Sequence, residues 1–455
     1  MIVSFKKSKV AKKRHKGAFF CILFKQKVFL SMTVENFLKI FSQKGWQVPN
    51  LNHQISVFAN NPKTAFEFCD VCLNKELDTG ILFDAMISYV CKADLQKLIE
   101  FAIHQEEIKN QNNQMVGKNT ESLIAYTAYQ YPELLHQHLQ DILRLKINQE
   151  SYYFSQPWHH LPQINIQIFK ALFIQEQDSD KKYLLFTCLL ATRHLPTIEW
   201  LLNTVRDKPF FIKIYGTLDE YLLAHLHNVG LTVNNDAIKS YCYPVTYHLV
   251  FDKIPSQSCV HFESIHPTWQ MNAQNTSCAF GGVLQNDENL ATNPLFHLIT
   301  LHDIPNGIDV TLPKLVLACH ISELNEGFDI LFYQHDHDGN PKRIGEIQTQ
   351  LNIIDKPLIC QKIHLSQTPS RWQTQDWALS NGRENLNRLG GMPTWIQDAF
   401  VPNCPITDEK MSFLMQLDSG LLDVSGNSLL FSSGGICYVF WSNKARVSAF
   451  LMQCT

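Results

Sequence analysis

Near Ser240 the apolar periodicity of this 455-residue chain changes from helical to alternating, which sets two architectures on one polypeptide. Before that point Leu95, Leu98, Ile99 and Ala102 fall at i, i+3, i+4 and i+7, and Ile198, Leu201, Leu202 and Val205 repeat the spacing. After it, Tyr243 to Phe251, Leu312 to Ile321, Phe328 to Tyr333, Glu346 to Ile354 and Leu358 to Leu365 are short runs separated by Pro, Gly, Asn and Asp. The expected fold class is therefore α+β: an all-helical domain over residues 32–240, followed by a strand-rich α+β domain over 241–455. Hydrophobic residues at 45% and charged ones at 18% are ordinary for a globular interior and exclude global disorder.

In the helical part, the apolar runs Ile81 to Val90 and Leu184 to Leu190 each precede one of the two stripes. Each pair reads as a helical hairpin, broken at Lys92-Ala93 or Leu195-Pro196, with Asp94 or Thr197 as N-cap of the second helix. Such hairpins fit a HEAT-like array or an irregular bundle equally well. The polar stretches Glu106 to Thr120 and Gln175 to Lys182 read as loops.

Charge is lopsided. Residues 1–31 hold nine Lys or Arg and no Asp or Glu, so the rest of the chain carries 30 basic against 42 acidic residues, a net of −12 within an overall −3. The leader imitates a signal peptide, but Lys25 and Lys27 interrupt its apolar run, and Phe19 to Phe24 is far short of the ~20 residues that span a bilayer. It is expected to lie outside the folded unit, with Met32 opening the first regular pattern. Contact with nucleic acid or a membrane surface falls to this leader alone, and no transmembrane segment is expected. The 13 cysteines lack the even spacing of a secreted disulfide framework, which points to a reducing cytoplasm. Cys69-x-x-Cys72 lies among Phe66, Phe68 and Val71 and reads as a helical core face.

The strand-rich part reads as doubled. Gly281-Gly282, Phe296 to Leu301 and Phe328 to His335 repeat the order of Gly390-Gly391, Phe413 to Leu417 and Ile436 to Phe440. Leu315, Leu317, Cys319 and Ile321 are expected on one face of a strand, and Phe413, Met415 and Leu417 on one face of another. Two such units would pack two similar sheets around a crevice, a usual place for a ligand.

The last third carries the most specific order of motifs: Gly390-Gly391-Met392-Pro393-Thr394-Trp395, a strand closing in Gln416-Leu417-Asp418, Gly434-Gly435 before Ile436 to Phe440, and a terminal Gln453-Cys454. This order resembles the YwqG-like family, a bacterial domain of unknown function, over roughly the last 200 residues. The glycines permit positive φ and close chain approach, and Pro393 fixes the exit of the turn. The candidate binding residues are Gly390, Gly391, Pro393, Trp395, Gln397, Gln416, Asp418 and Gln453. If the three glutamines converge they orient a ligand's amides or satisfy neighbouring backbone. The family's look also includes Cys-x-x-Cys pairs suggestive of structural zinc. Here Thr407 follows Cys404 where a second thiolate would stand, and Ser442, Asn443 and Lys444 occupy the distal place, so no metal site is expected. His335 and His337 precede a hairpin turn at Asp338-Gly339 and share a strand face, which reads as a surface hairpin with a two-ligand site as the alternative. His138 and His225 read as packed histidines on helical stripes.

No phosphate-binding loop, zinc-protease helix or nucleophile elbow occurs, so no catalytic residue and no cofactor is assigned, and whether the chain is an enzyme stays open. The resemblance implies proximity to bacterial toxin systems. The expected function is a non-catalytic cytoplasmic protein-binding module, in its specific form an immunity protein occluding a basic toxin that the acidic body attracts. The alternative is a small-molecule binder or hydrolase using the crevice between repeats, which requires Gln416, Asp418, His320 and His335 to converge on one concave pocket.

Overall fold

A computed structural model describes residues 32–48, 50–112, 114–148, 151, 153–159, 161–205, 218–234, 237–252, 266–272, 277–284, 295–326, 330–346, 356–373 and 384–454. The basic leader and most of the Glu346 to Ile354 run fall outside these residues. The first part is helical: α1 (Val34–Lys44), α2 (Leu51–Ala59), α3 (Pro62–Asn74), α4 (Ile81–Ile87), α5 (Lys92–Gln111), α6 (Lys118–Gln130), α7 (Leu139–Arg144), α8 (Gln163–Gln175), α9 (Ser179–Leu190), α10 (Leu195–Val205) and α11 (Leu218–Asn228). They share one apolar core that includes Phe37, Phe68, Phe83, Leu98, Phe169 and Leu201. A hairpin of β1 (Leu231–Asn234) and β2 (Ala237–Ser240) ends this part, leaning on α10 and α11.

Both expected pairs of helices form, with different caps and neighbours. Cys91, not Asp94, is the N-cap residue of α5, and Asp94 sits in its first turn, where it takes hydrogen bonds from Cys91 and Lys97. Helix α4 packs chiefly on α3 and α6, whereas α9 and α10 pack on each other. Helix α5 runs on through Gln111, because its polar residues serve as a solvent face. Only 112–117 joins it to α6, so Glu106, expected in a loop, is a helical residue and 3% exposed. Likewise α9 begins at Ser179, its first amides capped by Asp178.

Among the described residues the second part is built on an antiparallel sheet of eleven strands, in the order β6-β5-β4-β9-β3-β10-β11-β14-β15-β7-β8. Its strands are β3 (Tyr243–Phe251), β4 (Ser277–Phe280), β5 (Phe296–Leu301), β6 (Leu315–Cys319), β7 (Leu331–His335), β8 (Pro341–Ile344), β9 (Gln361–Gln367), β10 (Arg388–Gly391), β11 (Ser412–Asp418), β14 (Ile436–Ser442) and β15 (Val447–Gln453). A two-stranded hairpin, β12 (Leu421–Leu422) with β13 (Ser428–Leu429), stands apart, and a short helix α12 (Ile321–Glu326) follows β6. The sheet curls until its ends meet: Val316 N–H on β6 donates to Gly339 O in the β7–β8 turn at 3.0 Å. Leu249, Leu317, Leu365, Met415, Val439 and Phe450 fill the inner face. Phe413, Tyr438, Phe440, Ala449 and Val401 form a separate core on the outer face.

The doubling is visible in this order, with one change of partner. β6-β5-β4-β9 mirrors β14-β11-β10-β3 about the β9/β3 pair. β4 and β10 both run into two glycines at positive φ, and β5 and β11 both bulge, between His297 and Ile299 and between Phe413 and Met415. The counterpart of β14 is thus β6, not the expected Phe328 to His335 run, whose β7 pairs with β15 at the far end. The bulge in β11 also moves Phe413 to the outer core while Met415 and Leu417 stay inside. Among the described residues no crevice separates the two halves, which form one continuous sheet. β9 and β3 pair directly from Tyr247↔Gln367 to Phe251↔Ile363, which satisfies main-chain groups that facing edges would leave open.

Candidate functional site

β10 enters between β3 and β11 and turns out through Gly390 and Gly391, both at φ 70. The next residues cross the outer face of the sheet, and the signature side chains fasten them there. Thr394 N–H donates to Gln416 Oε1 at 2.8 Å, and Gln416 Nε2 donates to Leu386 O at 2.8 Å and to Thr394 Oγ1 at 3.1 Å. Gln453 Oε1 accepts from Ile396 N–H and Gln397 N–H, its Nε2 donates to Asp398 O, and Gln397 Nε2 donates to Cys454 O. Tyr438 O–H donates to Thr394 O at 2.6 Å, and Arg388 donates to Met392 O and Thr394 Oγ1. The Trp395 ring lies 4.8 Å from that of Tyr438 and donates its N–H to Tyr241 Oη. Pro393 is buried within this turn. Asp418 N–H donates to Asn387 Oδ1, and its carboxylate accepts from Ser419 N–H.

The structure therefore gathers Gly390, Gly391, Pro393, Trp395, Gln397, Gln416 and Gln453 around one stapled segment, with the glutamine amides committed to main chain and to Thr394. The constellation required for a crevice enzyme does not assemble. Gln416 points to the outer face, beneath Thr394. His335 packs on Trp441 of the inner core at 5.2 Å and bonds Gly339 O and Ser448 Oγ, and His320 bonds the inner-face Tyr333. His337 is exposed against Arg446, so the two histidines do not share a site. Burial raises the Cys404 thiol, but the hydroxyls of Thr407 and Ser442 and the amides of Ile406 and Thr407 outweigh it and hold the thiol below its usual value. Among the described residues no group of three or more His, Cys, Asp or Glu is placed to hold a metal.

A second polar cluster escaped the sequence reading. Where the helices meet the sheet, Tyr129 O–H of α6 donates to Glu384 Oε2 at 3.2 Å, and His266 Nε2 stands 3.8 Å from Glu384 Oε1. Thr268 N–H points at His266 Nδ1 and the Thr268 hydroxyl lies 2.8 Å from it, so that nitrogen is the acceptor and the ring proton faces Glu384. Asn385 N–H closes the cluster on Thr268 Oγ1, and Trp372 wedges between the rings of Tyr129 and His266. Burial, helped by nearby His248, pushes His266 down to about 3, so the imidazole is neutral. Hydroxyl, imidazole and carboxylate stand in the order of a proton relay. Thr268, His266 and Glu384 are all buried, however, so the cluster acts as a lock between helices and sheet. The available signal was the polar run Glu384-Asn385-x-Asn387-Arg388 directly before a buried strand, since buried polar groups require partners. Tyr129→Phe is expected to lose about 1.5–3 kcal/mol, the worth of a hydrogen bond to a charged group, read as a lower urea midpoint at unchanged slope.

One surface breaks the usual pattern. Helix α8 buries Ile166, Phe169 and Phe173 yet leaves Ile164 at 70%, Ile174 at 60% and Leu172 at 38% exposure. Its outer side thus mixes large apolar residues with Gln163, Gln167 and Gln175, where a surface helix normally shows a polar face. The turn after it carries Glu176 and Asp178, and Asp180 follows in the first turn of α9, while Lys170 and Lys182 lie over the protein's own Trp200 and Phe173 rings. No helix among the described residues is long and apolar enough to cross a membrane. The chain matches no family model, no curated protein and no solved structure.

Proposed function

We propose that the protein is a non-catalytic protein-binding module of the cytoplasm whose contact surface is the outer side of α8 and whose partner is a basic protein. The observation that carries this reading is the exposure of Ile164, Leu172 and Ile174 along one helix that ends at the acidic residues Glu176 and Asp178. The excess of 42 acidic over 30 basic residues outside the leader favours fast association with a cationic surface. On the YwqG-like resemblance, the specific form of this role is an immunity protein that covers a basic toxin.

The test is reconstitution with the basic partner identified by cross-linking in the native cell. Ile164→Glu combined with Ile174→Glu is expected to weaken that complex by more than about tenfold, with an unchanged melting temperature because neither side chain supports the core. Wild-type affinity in the double variant would remove α8 from the interface. Failure to cross-link any basic protein, with toxin sensitivity unchanged on deletion of the gene, would end the reading.

A further inference from the structure

A cavity of about 120 Å³ opens between α3, α5 and the start of α6, remote in sequence from both the signature and α8. Glu106 stands in its wall and is 3% exposed. Three hydrogen bonds reach this carboxylate, all on Oε1: from Lys109 Nζ at 3.2 Å, Gly117 N–H at 3.4 Å and Thr120 Oγ1 at 3.1 Å. Among the described residues none reaches Oε2. The Lys109 ammonium is shared, lying 2.7 Å from Glu76 Oε1, so two carboxylates line the cavity against one cation. The Asn74 amide is turned by its bonds to Asp70, which occupy Nδ2 and leave its carbonyl oxygen as an acceptor. Leu73 and Phe101 supply an apolar wall.

With Oε1 taken by three donors, Glu106 Oε2 is the oxygen left open to the cavity and available to a positive group from outside. An anion would meet the excess negative charge. A hard divalent cation needs six or more oxygens, and the lining holds only two carboxylates, one of them already shared with Lys109. The space equals roughly four water molecules, enough for a charged head and a short run of methylenes. We propose that this cavity binds the end of an alkylammonium or alkylguanidinium chain, its head on Glu106 Oε2 and Glu76 and its methylenes against Leu73 and Phe101. A lysine or arginine side chain of a protein and a free small amine both carry this chemistry. The site does not depend on the α8 surface, so the two readings stand or fall separately.

The experiment titrates the full chain with n-butylguanidinium and with a capped Gly-Gly-Arg-Gly-Gly peptide, using butyrate as control, and follows binding by calorimetry and by NMR shifts. Wild-type protein is expected to bind at least one cation and not butyrate. Tighter binding of the peptide identifies a protein side chain as the occupant, and tighter binding of the free cation identifies a small amine. Glu106→Gln keeps the acceptor for Gly117 and Thr120 but removes the charge, and is expected to weaken binding by about tenfold or more. Should that variant fold poorly, Glu76→Gln at an exposed position carries the test, with an expected loss of about threefold. No binding of either cation at millimolar concentration, or equal affinity in a folded Glu106→Gln protein, overturns the proposal.

Discussion

Taking the protein from about pH 7 to about pH 4.5 is expected to remove most of its folding stability, through three buried histidines. Burial pushes His266 down to about 3, and His227 and His335 down to about 4. Each neutral ring is fixed by a neighbour: Thr268 for His266, Thr232 at 3.1 Å for His227, and Gly339 O with Ser448 for His335. An unfolded histidine takes its proton near pH 6.5, so below that value the unfolded chain binds protons that the folded one refuses. The stabilisation is complete above pH 6.5 and is lost as pH falls toward the folded values of 4 and 3. At pH 4.5 each site forgoes nearly two pKa units, about 2–3 kcal/mol at ~1.4 kcal/mol per unit. Together they reach on the order of 6–9 kcal/mol, the scale of a whole domain's stability. Asp336 works in the same direction: burial raises it, but the hydrogen bonds from Asn340 and the Asp338 amide, with the Lys314 charge, together hold its carboxyl below the usual range, and that contribution also fades in acid. Urea midpoints at a series of pH values measure the effect. His335→Gln should be less stable at neutral pH and show a shallower pH dependence, and a wild-type midpoint equal at both ends of the range would refute the burial of these rings.

What the sequence disclosed follows from how local each signal is. Strand β3 is legible from Tyr243 to Phe251 because apolar residues between turn formers report on the strand itself. The bulge in β11 is not legible, because it depends on the register with β14, and it turns Phe413 to the opposite face from Met415. Cys91 in place of Asp94 as the cap residue is a displacement of three positions, within the usual uncertainty of helix ends. The polar end of α5 reads as a loop when composition alone is weighed, yet its solvent face explains the same residues. The glutamines of the signature do converge, and their spacing in sequence hides what they converge on: the main chain of residues 386–398 and Cys454. Least visible is the seam of Tyr129 and Glu384, whose members lie 255 residues apart, so no window of sequence contains both. The Glu106 cavity shares that property, since its walls come from three separate helices.

Alanine at Gly390 is expected to be among the most damaging single substitutions in the sheet, and its comparison with two other glycines isolates the cause. A Cβ at Gly390 would stand 2.3 Å from Val245 O and 2.8 Å from Ile308 Cδ1. Val245 belongs to β3, which pairs with β10 here and with β9 from Tyr247 onward, and its carbonyl is main chain, which cannot swing aside as a side chain can. At Gly391 the nearest atom, at 2.2 Å, is the Thr246 hydroxyl, a side-chain atom that can rotate away. At Gly426, with φ 79, nothing lies within 4 Å. All three occupy the left-handed region, so each alanine pays a similar conformational cost of about 1–2 kcal/mol. Only Gly390 adds a collision with fixed main chain, for an expected total of more than about 4 kcal/mol, beyond the usual range for one substitution. The order of loss in urea unfolding should be Gly390→Ala, then Gly391→Ala, then Gly426→Ala. Equal losses at Gly390 and Gly426 would mean that the turn needs only positive φ. A large gap would mean that the paired glycines exist to bring β10 against β3, which is also what places Thr394 over Gln416 and lets the glutamines staple the segment that follows.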